Sequence, residues 1–171
     1  MTKGKTLAVG ILFLLISILT VQGQTTFEVP QNVELKSRED YAKYENAIID
    51  AAKWLEETDL NKEIDKRQKV NAFVMRWVEG SPTVNILITE KLIKICDKNT
   101  HLLGLYMASY SRYFLEHKGT ATNLSAAKAG LLSIMIVYKK GINVTVNKEM
   151  DNLIELTNEN ELDEYIDDYF H

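Results

Sequence analysis

The chain has 171 residues, of which 20 are Lys or Arg and 24 are Asp or Glu, giving a formal net charge of −4. That balance argues against nucleic acid and against anionic membrane surfaces as partners, since both select an excess of cations. Cys96 is the single cysteine, which excludes an internal disulfide and leaves a hydrophobic core to hold the fold.

The N-terminus has the layout of a secretory leader. Lys3 and Lys5 precede an apolar run from Leu7 to Leu19, and Val21-Gln22-Gly23 leads into Gln24, with β-branched Val21 and small Gly23 at the positions read at a cleavage point. The run is shorter than the ~20 residues a spanning helix needs, so the expectation is a signal peptide over 1–23 that is removed. No cysteine flanks the site for lipid attachment. The product is then secreted or periplasmic, with no stable membrane insertion, and loss of Lys3 and Lys5 takes the net charge from −4 to −6. An exported chain without disulfides favours a bacterial setting, in which the Asn123-Leu-Ser and Asn143-Val-Thr triplets are chance rather than glycosylation acceptors.

Residues 24–36 include Pro30 and show no sustained period, which reads as an extended lead-in to a single helical domain over 37–171. Ser37 and Asp40 resemble a capping box, although Asp is shorter than the preferred Glu. One helix from Arg38 to Glu57 follows, with Tyr41, Tyr44, Ile48, Ala51, Trp54 and Leu55 on one face. In the next helix Val70, Phe73, Val74, Met75, Trp77 and Val78 cover roughly 200° of the wheel, wider than the ~100° a surface helix buries, which predicts an interior position. Arg67 and Asn71 lie one turn apart on its apolar side, where an unpaired polar group costs about 1–3 kcal/mol. Gly80, Ser81 and Pro82 then read as a corner: a left-handed helix end, a capping oxygen and a preset first helical residue.

From Pro82 the apolar residues Val84, Leu87, Leu92 and Ile95 keep helical spacing through Cys96, although the run from Thr83 to Thr89 is also strand-like. A helix from His101 to His117 is stopped by Gly119, and one from Asn123 to Lys140 is apolar nearly all round. In the latter, Ala126, Ala127, Ala129 and Gly130 are small enough for a neighbouring backbone to approach. Ile142, Val144 and Val146 alternate as a short extended connection before Asn147 opens a further helix. Leu162, Tyr165, Ile166, Tyr169 and Phe170 form the last stripe. The carboxylates around it read as a solvated face, because they do not follow the loop pattern of a calcium-binding hand. The sum is an all-α compact bundle of about six or seven helices. Helix starts about 42–44 residues apart at Arg38, Pro82 and Leu124 offer the alternative of a short stack of helical hairpins.

No HExxH, cysteine-rich spacing, Gly-x-Ser-x-Gly elbow or glycine-rich phosphate loop is present, so no catalytic residue, metal ligand or cofactor is expected. Cys96 reads as a buried, inert thiol. Tyr106, Tyr110, Tyr113 and His117 fall at i, i+4, i+7 and i+11, one stripe of apolar rings with polar tips. As a pocket wall it would stack on and hydrogen-bond a ligand. As core, which is the favoured reading, its hydroxyls reach the surface or backbone carbonyls, with His117 well placed at a helix C-terminus. The candidate ligand-binding residues are therefore Arg67, Asn71, Tyr106, Tyr110, Tyr113 and His117. The expected function is non-catalytic binding of a protein or small molecule in the cell envelope. The competing reading is an enzyme of unfamiliar type, using His117 or a carboxylate such as Glu45 or Glu56 as general base near Arg67.

Overall fold

The computed structural model describes residues 26–170, so the leader expected over 1–23 lies outside the described residues. Within them the chain forms an all-α compact bundle of eight helices with no strand. These are α1 (Arg38–Lys43), α2 (Glu45–Glu57), α3 (Ile64–Gly80), α4 (Glu90–Cys96), α5 (His101–Glu116), α6 (Asn123–Lys139), α7 (Lys148–Asn158) and α8 (Leu162–Tyr169). No described helix is long and apolar enough to cross a membrane.

The capping box at α1 forms despite its short carboxylate. Asp40 takes hydrogen bonds from the backbone N–H of Ser37 at 3.1 Å and of Lys36 at 3.2 Å, while its own N–H donates to Ser37 Oγ. The Lys43 ammonium and these backbone donors hold the Asp40 carboxyl at about 2. The single helix expected over Arg38 to Glu57 is two helices, which raises the count to eight. In an unbroken helix the Tyr41 carbonyl would accept from residue 45. Here it accepts from Tyr44 N–H at 3.1 Å and from the Trp77 indole N–H at 3.0 Å, and the chain turns at Tyr44. The turn sets the Tyr44 ring edge-on to Phe73, with centroids 6.1 Å apart.

α3 is a peripheral helix, contrary to its wide apolar arc. Arg67, Val70, Phe73, Val74 and Trp77 are its buried residues, an arc of about 120°, as suits a helix with one face on the core. Met75, which widened the arc, is 57% exposed. Gly80 is not in the left-handed region. It sits within the helix, where a Cβ would collide with the Tyr41 hydroxyl, so its role is close approach rather than a turn.

No helix starts at Pro82. The Ser81 hydroxyl accepts from the N–H of Thr83 and Val84, both at 3.3 Å, and the chain then runs without regular structure to Thr89, which caps α4. The helix expected over 82–96 thus exists only from Glu90. Without a start at Pro82, the spacing that motivated stacked hairpins is lost, and α5 packs against α2, α3, α4 and α6 together.

The most extensive helix–helix contact is α5 with α6, and Gly130 permits a close approach there: a Cβ would lie 2.6 Å from the Tyr106 ring and 3.1 Å from its carbonyl oxygen. The ring is wholly buried and cannot retreat. Gly130→Ala should therefore destabilise by about 1–3 kcal/mol, although alanine is the better helix former by ~1 kcal/mol. Denaturant melts test this, and an unchanged midpoint would show that the pair has slack.

Candidate functional site

Tyr106 and Tyr110 are fully buried in the core. The Tyr106 hydroxyl donates to the Leu87 carbonyl at 3.1 Å, and the Tyr110 oxygen lies 2.9 Å from the Asn85 carbonyl and 3.1 Å from Asn123 Oδ1. Burial pushes the Tyr110 phenol up to about 12 and the Tyr106 phenol higher still. Tyr113 is half-buried and His117 exposed, with stacked rings 4.1 Å apart; His117 Nδ1 lies 2.9 Å from the Tyr113 carbonyl. The stripe passes from core to surface.

Arg67 is 6% exposed and finds its partners at the end of α2. It donates to the Leu55 carbonyl at 3.2 Å and to the Thr58 carbonyl, and its guanidinium lies 5.5 Å from the centre of the Trp54 ring. A cation bonded to the free carbonyls of a helix C-terminus complements the helix dipole. Burial pulls its pKa below the ordinary value, and Asp59 and Glu63 oppose that. Asn71 packs against Gly104 of α5, where a Cβ would lie 2.5 Å from its Oδ1. Arg67 Nε, Asn71 Oδ1 and His101 Nε2 are buried without a hydrogen-bond partner, at the contact between α3 and α5. Burial, and then the Arg67 charge, lower the His101 pKa.

The carboxylates acting on Arg67 are Asp59 and Glu63, not Glu45 or Glu56. Glu45 pairs with Lys118. Glu56 accepts from Ser133, which accepts from Ser109 at 2.8 Å, with Arg112 3.9 Å away. Ser109 and Ser133 are both buried, so this chain of hydroxyls ties α5 and α6 to the partly exposed Glu56 of α2. Cys96 is buried as well, its thiol pushed up to about 12 by burial and by Asp97. No three His, Cys, Asp or Glu side chains among the described residues are placed to hold a metal ion.

A concavity that periodicity did not indicate lies on the outer face of α3. Val29, Pro30, Asn32 and Val33 of the lead-in and Lys69, Ala72, Phe73 and Arg76 of α3 line an open cleft of about 340 Å³. The lead-in is anchored by Phe27, which is buried with its ring 6.5 Å from Phe73, and by Glu28, 3.4 Å from Lys66. A left-handed Asn32, φ 52°, bends the chain at the cleft. Lys69 and Arg76 have no carboxylate partner among the described residues, in contrast to Lys91, which at a smaller cleft beside α8 meets Glu149 at 3.4 Å and lies 4.9 Å from the Tyr169 ring centre. The sequence signal for this site was a Lys and an Arg two turns apart with Ala72 and Phe73 between them, a pattern common on solvated faces.

With that geometry in hand, comparison adds no relative: the chain matches no protein-family model, no curated protein and no solved structure.

Two outcomes follow from the buried groups. Tyr110→Phe removes one hydroxyl and its hydrogen bond to the Asn85 carbonyl, for a loss of about 1 kcal/mol, whereas Tyr110→Ala should cost ~3–5 kcal/mol through lost packing as well. Equal melting midpoints for wild type and Tyr110→Ala would show that the ring does not support the fold. Folding lowers the His101 pKa, so as pH falls the unfolded chain takes up the proton first. The His101 contribution is full above ~6.5 and declines as pH drops from there through the folded-state value. Denaturant midpoints measured from neutral to mildly acidic pH should fall less steeply for His101→Gln than for wild type, and parallel curves would contradict this.

Proposed function

We propose that the protein is an exported, non-catalytic binding protein of the cell envelope or periplasm, and that the α3 cleft is where it takes its partner. One observation carries the reading: Lys69 and Arg76 stand beside apolar walls with no carboxylate partner among the described residues. Binding sites combine an apolar lining with a few polar groups that fix orientation, and this cleft has that composition. The basic and apolar run ahead of Gln24 supports export. The net charge of −4 supports a partner other than nucleic acid.

A ligand-detected NMR screen of small molecules tests the binding half, run on the wild type and on the Lys69→Glu/Arg76→Glu variant. The expected result is a set of hits lost in the variant and left chemically unchanged by the wild type. Hits that bind both proteins equally, or that are turned over, would overturn the reading. The mass of the protein recovered outside the cytoplasm tests export, with Gln24 as the expected first residue.

A further inference from the structure

Resting on that reading of the cleft, we infer that its ligand is an amphipathic anion: an apolar body ending in a carboxylate. Five of its eight lining residues, Val29, Pro30, Val33, Ala72 and Phe73, are apolar, and the only charged ones are Lys69 and Arg76. A small hydrated anion gains nothing from such walls, because its affinity rests on donors it must share with water. A neutral apolar ligand leaves both cations without a counter-charge. A cation is repelled by them.

The placement of the charges refines this. Lys69 and Arg76 are seven residues apart, which sets them ~10 Å apart along the axis and within ~20° on the wheel. The apolar strip of Ala72 and Phe73 lies between. The guanidinium presents a planar fork that matches a carboxylate with two parallel hydrogen bonds, whereas the ammonium acts as a point charge. Arg76 is therefore the seat of the carboxylate, with the ligand body along Ala72 and Phe73 under Val29 and Val33. Lys69 adds attraction from the far end. The volume of about 340 Å³ is at the small end of sites that take small molecules, which favours a medium-length aliphatic or an aromatic acid over a lipid with two chains.

The test uses octanoate, octanol and acetate as probes of the protein as purified, followed by amide chemical shifts. Octanoate should move the amides of residues 29–33 and 69–76, with affinity falling as salt is added. Octanol and Arg76→Gln should each weaken binding about tenfold or more, Lys69→Gln should weaken it less, and acetate should leave these amides in place. The remainder of the variant spectra, unchanged, reports an intact fold. Octanol binding as tightly as octanoate would overturn the inference, as would acetate producing the same shifts. Another compound moving these amides where octanoate does not overturns the ligand class and leaves the cleft reading standing. Octanoate shifts confined to other parts of the molecule overturn both.

Discussion

Two phenol protons on α5 hold the irregular segment between α3 and α4. Between Ser81 and Thr89 neither a helix nor a sheet supplies donors to the backbone carbonyls. Tyr106 and Tyr110 supply them at Leu87 and Asn85. Because this segment leads directly into α4, the tyrosines also fix where α4 sits. From there the polar links continue: the Asn147 side chain donates to the Lys94 and Ile95 carbonyls at the end of α4, and its oxygen caps the start of α7. The Asn147 N–H donates to the Tyr138 hydroxyl of α6 at 3.0 Å. Asn99 exchanges two bonds with the backbone of Thr145 in the same region. The irregular stretches are thus stitched to regular helices by a few buried polar side chains.

What periodicity reports is which side of a helix is apolar, and the helical elements around Trp77, Tyr110 and Leu131 were legible for that reason. It does not report what a carbonyl chooses. The break at Tyr44 arises because the Tyr41 carbonyl accepts from an indole 36 residues away, and no local rule contains that donor. The same holds for Gly80, whose missing side chain makes room for Tyr41 rather than for a turn, and for Pro82, which follows a Ser81 turn that leads into irregular chain instead of a helix. That buried tyrosine hydroxyls need acceptors was readable. That the acceptors are Asn85 and Leu87 required the tertiary placement. The α3 cleft was the least legible feature, since Lys69 and Arg76 look like ordinary solvated residues until Phe27 lays the lead-in beside them.

α3 puts charge to opposite uses on its two sides. On the inner side Arg67 is enclosed, its fork closing the C-terminal end of α2 and its guanidinium 5.5 Å from the centre of the Trp54 ring. Taking that guanidinium out of water is costly, and the hydrogen bonds to helix-end carbonyls offset the cost. The contact with α5 then carries His101 and Asn71 in a poorly satisfied arrangement. On the outer side Lys69 and Arg76 are exposed and have no carboxylate partner among the described residues. The inner cation has a structural role, and the outer pair is the one the proposed ligand would meet.

The lone thiol makes this scaffold readable from outside. Cys96 is 3% exposed, and burial pushes its thiol up to about 12, so a thiol reagent at neutral pH meets it only after α4 has lifted away from the core. The rate at which Cys96 is alkylated is then a clock for that opening. α4 follows the segment clasped by Tyr106 and Tyr110 and ends at the carbonyls gripped by Asn147, so the clock registers the release of either grip.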